Sequence, residues 1–188
     1  DKKFISNRVK RAEKLKGFVP QIFQSKSNMY SYEMVSGDVL SNVVNKEIFE
    51  SFLSYSQNFW TKSTLDGKER SKFKDKCLSF YKNKTYERIE LFYSNFKKSD
   101  NVTRVNGVNC PPLGQLLDCI DWNWICDGIP GRFHGDFHFE NILWSGNEKK
   151  FTFLDWRQDF AGDINIGDIY YDFAKLMHGL IVNHGVIA

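Results

Sequence analysis

The side chains best suited to catalysis or metal binding are concentrated between residues 132 and 172. Asp136 and Asn141 lie five residues apart across a turn that leads into an apolar strand, and Asp155 directly follows the apolar run Phe153-Leu154. A hairpin made from these two strands would bring the two carboxylates and the amide to one edge. Carboxylate and amide oxygens, together with substrate phosphates and water, are the ligands that Mg²⁺ prefers. The pattern therefore predicts a magnesium site at that edge.

Three motifs in this region resemble those of a single family. His134–Asn141, with the sequence HGDFHFEN, is similar to the HGDxHxxN signature of the aminoglycoside phosphotransferase and choline kinase-like family. Leu154–Trp156 resembles the family's metal motif of a hydrophobic residue, Asp and an aromatic residue. Gly167-Asp168 and Tyr171–Ala174 resemble the GDxxxDLA segment that begins the following helix. Because the three motifs occur in the expected order at compatible spacing, the resemblance is specific.

The resemblance implies a role for each polar side chain of the region. Asp136 would be catalytic: it would orient the acceptor hydroxyl and take its proton, while Asn141 and Asp155 would hold Mg²⁺ against the phosphates of ATP. His134 would brace this catalytic loop through hydrogen bonds to backbone near Asp155. The residues themselves leave a second site open, a transition-metal hydrolase centre with His134, Asp136 and His138 as ligands, which would need further ligands elsewhere.

A segment near the N-terminus is similar to the part of the family that contacts adenine. Pro20–Val35 matches the family's strand pair, and Tyr32, Glu33, Met34 and Val35 fall in the hinge, where backbone N–H and C=O groups would bond the adenine edge of ATP. Because the backbone makes these bonds, the side chains carry little information. An ordinary edge strand is therefore the alternative for this segment.

Hydrophobic periodicity predicts the elements that position these motifs. The opening sixteen residues contain seven Lys or Arg and are predicted to form a helix that packs through Ile5, Val9 and Ala12 and has a solvated basic outer face, with nucleic-acid binding as the alternative. The further predicted elements are a hairpin from 19–23 and 29–35, helical structure over 46–98, a loop over 101–112, a helix over 113–126, strands over 142–144 and 151–154, and a helix over 168–182.

These elements predict an α+β fold that is protein-kinase-like, with a truncated N-lobe and a mostly helical C-lobe carrying the catalytic β-hairpin. Residues 1–36 would form the N-lobe remnant of helix, hairpin and hinge, and residues 37–188 the C-lobe with its catalytic and metal-binding loops. No Gly-rich phosphate loop of a known pattern occurs in the sequence. We therefore expect either a portion of a longer kinase chain or a stand-alone protein with a reduced ATP site.

Composition narrows the class of protein further. The 188 residues include 26 basic and 23 acidic side chains, and a net charge of +3 is too small to indicate a nucleic-acid partner. The sequence has no apolar run long enough to span a membrane and no export signal, which favours the cytoplasm. The four cysteines are expected to be reduced thiols, although a disulfide between Cys119 and Cys126 stays open.

The predicted function is ATP- and Mg²⁺-dependent transfer of a phosphoryl group to a hydroxyl of a small molecule. The acceptor could be an amino alcohol, an aminoglycoside, a sugar or a polysaccharide precursor. A cationic acceptor would need acids and aromatic faces. The residues that could supply them are Trp122, Trp124, Trp156, Asp121 and Asp159. The alternative from another class is a non-catalytic, kinase-like binding module.

Overall fold

The computed structural model describes residues 1–182 as a mixture of helices and short strands, which is compatible with an α+β fold. In chain order the elements are α1 (Lys2–Lys14), β1 (Ile22–Lys26), β2 (Met29–Tyr32), β3 (Asp38–Val39), α2 (Leu40–Val43), α3 (Lys46–Gln57), α4 (Gly67–Leu78), a π-helical turn (Ser79–Asn83), α5 (Lys84–Phe96), β4 (Thr103–Val105), β5 (Val108–Cys110), α6 (Leu113–Asp118), α7 (Trp122–Ile125), β6 (Pro130–Gly131), a 3₁₀ turn (Phe139–Asn141), β7 (Ile142–Ser145), β8 (Lys150–Phe153), β9 (Gly167–Asp168) and α8 (Ile169–Ile181).

The described chain divides into two compact units. The first consists of Asp1–Leu65 together with the described residues from Ile129 onward, and the second is Asp66–Gly128. All the motif residues, the predicted hinge and the basic opening helix belong to the first unit. The lobe boundary predicted between residues 36 and 37 stays a prediction.

A three-stranded antiparallel sheet forms the frame of the first unit. Strand β7 lies between β3 and β8, with Ile142 opposite Phe153 and Asp38 opposite Trp144. This register places the start of β7, which follows Asn141, beside the end of β8, which precedes the Asp155 motif. The predicted hairpin is thus confirmed, and it brings the two motifs to the same edge of the sheet.

Aromatic rings pack beneath that edge. Phe137, in the loop between β6 and the 3₁₀ turn, contacts Phe153 of β8 with ring centroids 4.9 Å apart, and Phe153 in turn lies 5.1 Å from Phe59. All three side chains are fully buried. Burial of such rings contributes on the order of 2 kcal/mol each, so the loop that carries Asp136 rests on a closely packed apolar base.

The second unit departs from two predictions. The loop predicted over 101–112 contains a short antiparallel hairpin, β4 with β5, because Asn106 and Gly107 both have positive φ and form a tight two-residue turn. The helix predicted over 113–126 is broken into α6 and α7. A new helix begins at Asp121, whose carboxylate accepts a hydrogen bond from the Trp124 N–H at 3.0 Å.

The continuous helical structure predicted over 46–98 is also wrong in one place, because residues 58–66 separate α3 from α4. The sequence signal for this break is a capping box: the Asp66 side chain accepts from the Glu69 N–H at 2.8 Å, while Glu69 accepts from the Asp66 N–H at 3.0 Å. Such reciprocal caps mark the first turn of a new helix.

The predicted N-terminal helix, the hairpin β1–β2 and the final helix are confirmed. Asp168 caps α8 by accepting a hydrogen bond from the Tyr170 N–H at 3.0 Å, and it also accepts from the Ile129 N–H at 2.9 Å. It therefore ties the start of α8 to the backbone before β6. Within residues 1–182, no helix has the length and apolar character needed to cross a membrane.

Candidate active site

The loop that carries Asp136 follows β6 and is held by its backbone. Gly135 has a φ of +92°, and a Cβ atom there would lie 2.5 Å from the Arg157 Cβ atom. Only glycine combines that backbone conformation with so close a neighbour. The His134 carbonyl also accepts a hydrogen bond from the Arg157 N–H at 2.9 Å, so this loop and the segment after Asp155 are bound together.

Asp172, one turn into α8, is the main anchor of the loop. Its Oδ2 accepts hydrogen bonds from the His134 N–H at 2.7 Å and from the Trp60 indole N–H at 3.1 Å, and its Oδ1 accepts from the Gly135 N–H at 2.7 Å. The side chain is fully buried. Burial raises the pKa of Asp172 to about 6, even though these donors act in the opposite direction.

Asp172 belongs to the third motif, but the sequence alone does not predict its anchoring role. The available signal was an acid on the same face of the predicted helix as the apolar Ile169 and Leu176, both of which are buried. A buried carboxylate requires hydrogen-bond donors. Asp168 and Asp172 hold different parts of this region: Asp168 holds the backbone at Ile129, and Asp172 holds the loop that carries Asp136.

The Asp136 carboxylate is surrounded by donors. Its Oδ1 lies 2.8 Å from the Lys175 Nζ, and its Oδ2 lies 3.2 Å from the Asn141 Nδ2 and 3.4 Å from the His138 Nε2. Burial alone would raise the pKa of Asp136. The hydrogen bonds and charges of His138 and Lys175 outweigh that effect and place the pKa well below its usual range. Asp136 is thus ionised, and Lys175 is a second residue that sequence reasoning missed.

The hairpin places the backbones of Asn141 and Asp155 close together. The Leu154 N–H donates to the Asn141 carbonyl at 2.7 Å, so Asp155 comes directly after a residue that is bonded to Asn141. The Asn141 Nδ2 also donates to the Asp136 carbonyl at 3.0 Å. Since its amide nitrogen is used in this way, the Asn141 Oδ1 is the atom left for a cation. One carboxylate and one amide oxygen fit Mg²⁺, which keeps several waters and uses few protein ligands.

The contacts of the histidine nitrogens support the transition-metal site less well than the oxygen atoms of Asn141 and Asp155 support a magnesium site. The His134 Nδ1 accepts from the Asp136 N–H at 3.2 Å, and the His138 Nδ1 lies 2.8 Å from the Glu140 Oε2. Neither histidine is arranged with other donors around a common point. Over residues 1–182, no group of three or more His, Cys, Asp or Glu side chains is placed to hold a metal ion.

His134 is fully buried, and burial lowers its pKa to about 3, with the Arg11 charge acting in the same direction. The imidazole is therefore neutral. Its contacts fit the bracing role predicted for it: Nδ1 orients the Asp136 backbone, and the ring packs against Phe137 with centroids 5.6 Å apart. The predicted link to backbone near Asp155 is made by the His134 carbonyl through the Arg157 N–H.

Two cations of the basic opening helix lie away from its solvated face. Arg11 is only 1% exposed and donates to the carbonyls of Arg157, at 2.5 Å, and Phe133. Arg8, one turn earlier, lies 2.6 Å from the Asp155 Oδ1. The helix therefore contacts both loops of the candidate site, and it does so through side chains that charge counting alone would assign to the surface.

The predicted hinge residues connect β2 to β3. The Glu33 N–H donates to the Gln21 carbonyl at 2.9 Å, which extends the hairpin by one pair, and the Met34 side chain is 98% exposed. Tyr32 lies next to Trp156, the residue after Asp155, with ring centroids 6.3 Å apart. The segment thus runs beside the second motif, and Val35 follows it in an extended connection without regular structure.

Among the aromatic residues considered for an acceptor pocket, Trp156 is unsuitable. It is 1% exposed, and its indole N–H donates to the Arg8 carbonyl at 2.9 Å. Trp124 is exposed but belongs to the second compact unit, where Asp121 serves as a helix cap. Asp159 accepts from the Gly162 N–H at 2.9 Å in a turn.

Comparison with known proteins agrees with the class of protein that the motifs predict. The sequence profile of APH, described as the phosphotransferase enzyme family, matches residues 100–185. That range contains the loop that carries Asp136, the Asp155 motif and the Asp172 motif. No curated protein and no solved structure matches the chain. The family resemblance is therefore confirmed over this range, and it supports phosphotransferase activity in general terms, whereas the predicted hinge lies outside the matched residues.

Proposed function

We propose that the chain is an ATP- and Mg²⁺-dependent phosphotransferase that acts on a hydroxyl group of a small molecule. The observation that carries the proposal is the environment of the Asp136 carboxylate. This carboxylate is ionised, and its Oδ2 accepts a hydrogen bond from the Asn141 Nδ2. The buried Asp172 side chain holds the loop that carries it. An ionised carboxylate can orient a hydroxyl without being a strong base, and phosphoryl transfer demands mainly positioning and charge stabilisation.

In the proposed reaction the acceptor oxygen forms a bond to the γ-phosphorus of ATP, and the bond from that phosphorus to the bridging oxygen breaks. The hydroxyl proton passes to Asp136, and ADP is the leaving group. Asn141 and Asp155 would hold Mg²⁺, which would supply charge compensation on the phosphate oxygens when bound. Asp172 and His134 keep the Asp136 backbone in place during this transfer.

Adenine would bind at the hinge residues Tyr32, Glu33, Met34 and Val35. Because the Glu33 N–H already donates to the Gln21 carbonyl, we propose that the backbone groups of Met34 and Val35 form the hydrogen bonds with the adenine edge. Met34 and Val35 both follow the last hydrogen-bonded pair of the hairpin β1–β2, so their backbone groups are not part of that pairing. Support for this part of the proposal is the proximity of Tyr32 to Trp156 in the second motif.

Nucleotide binding tests the proposal directly. Thermal denaturation of the chain is followed with increasing Mg²⁺-ATP up to millimolar concentrations, and a rise in Tm is expected because a ligand that binds only the folded state stabilises it. Asp155→Ala should remove most of the rise seen with Mg²⁺-ATP. Asp38→Ala is the matched control, since Asp38 is an exposed acid of the same unit.

Two outcomes would change the conclusion. If no nucleotide shifts the Tm, the chain does not bind ATP and the proposal is wrong. If the Tm rises but no ADP forms in the presence of amino alcohols, aminoglycosides or sugars, the chain is a kinase-like binding module.

A further inference from the structure

We propose that Lys175 is a further residue of the active site, one that contacts the transferred phosphoryl group and positions Asp136 for the acceptor. This inference rests on the proposed function. It assigns a role to a helix residue outside all three motifs, and it identifies the ligand of the Lys175 ammonium as a γ-phosphate or the phosphoryl group derived from it.

The placement of Lys175 follows from the geometry of α8. Asp172 and Lys175 are three residues apart, so they lie on the same face of the helix in successive turns. Asp172 binds the loop backbone before Asp136, and Lys175 reaches the Asp136 side chain, with 2.8 Å between Nζ and Oδ1. One helix therefore fixes both the path of the loop and the surroundings of its carboxylate.

The two oxygens of Asp136 are held in different ways. Oδ2 is contacted by Asn141 and His138, which belong to the same short segment as Asp136 and are constrained by it. Oδ1 is contacted by the end of a lysine side chain with four rotatable bonds. An incoming hydroxyl can therefore reach Oδ1 more readily than Oδ2, because the flexible lysine can shift while it keeps one donor on Oδ1, whose second lone pair accepts from the hydroxyl.

Stability gives no sufficient reason for this ion pair. About a third of each side chain is exposed, 35% for Lys175 and 32% for Asp136. Ion pairs at that exposure contribute little to the stability of the folded state. Tyr171 confines the lysine as well, with Nζ 6.0 Å from the ring centroid. The ammonium is thus partly exposed and lies near both the Asp136 carboxylate and the Tyr171 ring.

The ammonium has the chemistry that the transfer requires at this position. It carries three donors, of which Oδ1 uses one, and the others can bond the equatorial oxygens of a phosphoryl group beside Asp136. During the transfer, the acceptor hydroxyl gives its proton to Asp136 and its oxygen bonds to phosphorus. Lys175 stays protonated throughout, and no bond to it forms or breaks.

Chemical labelling of the unmodified chain tests this assignment without requiring turnover. Lysines are acetylated briefly with an N-hydroxysuccinimide ester and quantified by mass spectrometry, with no nucleotide, Mg²⁺-ADP or a Mg²⁺-bound non-hydrolysable ATP analogue. We expect the ATP analogue to slow labelling of Lys175 several-fold more than ADP does, since only the analogue has a γ-phosphate. Lys10, exposed on α1, is the internal control. Equal labelling of Lys175 with both nucleotides would overturn the assignment.

Kinetics of Lys175→Met and Lys175→Arg provide the second test. With Mg²⁺-ATP and an accepted hydroxyl compound, Lys175→Met should lower kcat about 100-fold, the size seen when one transition-state donor is removed. The KM for ATP should change less than threefold, and Lys175→Arg should recover part of kcat. A Lys175→Met variant with the kcat of the original chain refutes the inference while leaving the proposed function intact. A chain that neither binds nucleotide nor forms ADP refutes both.

Discussion

Arg8 of α1 forms an ion pair with Asp155, with 2.6 Å between the Arg8 Nη2 and the Asp155 Oδ1. The other end of the guanidinium, Nη1, donates to the Tyr30 hydroxyl at 3.3 Å. The Arg8 side chain therefore links the opening helix both to the hairpin β1–β2 and to Asp155, which we propose binds Mg²⁺. A metal ion bound to Asp155 would have to share the carboxylate with the Arg8 guanidinium or displace the guanidinium from it.

The first prediction concerns that competition. Arg8→Gln removes a positive charge beside Asp155 and should strengthen binding of a divalent cation about 3- to 10-fold, as expected for loss of one partly exposed charge interaction. Binding of Mn²⁺ is measured by electron paramagnetic resonance in the presence of ATP. Lys10→Gln makes the same charge change on the exposed side of α1 and should leave Mn²⁺ affinity within twofold. Weaker Mn²⁺ binding by Arg8→Gln would show that Arg8 assists the cation.

The second prediction concerns the Asp172 anchor. Asp172→Ala leaves three donors without their acceptor: the buried N–H groups of His134 and Gly135 and the partly buried Trp60 indole N–H. Each unpaired buried donor costs about 1–3 kcal/mol, so the free energy of unfolding should fall by roughly 3 kcal/mol or more. Urea denaturation measures the change, and Asp38→Ala is the control with an effect below about 0.5 kcal/mol. A loss as small as that of the control would mean that the loop does not depend on this carboxylate.

The third prediction is a pH dependence. Hydrogen bonds with Asp136, above all, and with Glu140 raise the pKa of His138 above its ordinary value of 6.5. A raised pKa means that the folded state binds the proton more tightly, so the stabilisation is complete below about pH 6.5 and is lost as the pH rises through the folded-state pKa. The stability difference between the original chain and His138→Gln should therefore be larger at pH 5.5 than at pH 8.5, as measured by urea denaturation. A difference that does not change with pH would contradict the raised pKa.

Much of the candidate site could be predicted from the sequence because its determinants are local. The spacing of Asp136 and Asn141, and the alternation of apolar strands around a polar turn, directly specify the hairpin β7–β8. Because Asp155 follows β8 closely in the sequence, the hairpin also places it at the edge of the sheet where β7 begins. Local signals also explain the helix starts after Asp66 and Asp121, because each of these acids caps the helix that follows it.

What the sequence could not supply are the contacts between distant segments. Arg8 and Asp155 are 147 residues apart, and Lys175 reaches Asp136 from a different element. Arg11 is buried because two backbone carbonyls of distant loops accept its hydrogen bonds, which no periodicity indicates. These contacts depend on how α1 and α8 pack against the loops, so charge pattern alone assigned the basic side chains to the solvated surface.

The most direct test of the account is the rate of ADP formation by Asp136→Asn. The variant keeps the size of the side chain but cannot take the hydroxyl proton, so with Mg²⁺-ATP and an accepted hydroxyl compound kcat should fall by about 10²- to 10⁴-fold. The rise in Tm with Mg²⁺-ATP should persist, and Asp38→Asn should keep the original rate. ADP formation by Asp136→Asn at the rate of the unchanged chain would contradict the central claim that Asp136 is the catalytic carboxylate of a phosphotransferase.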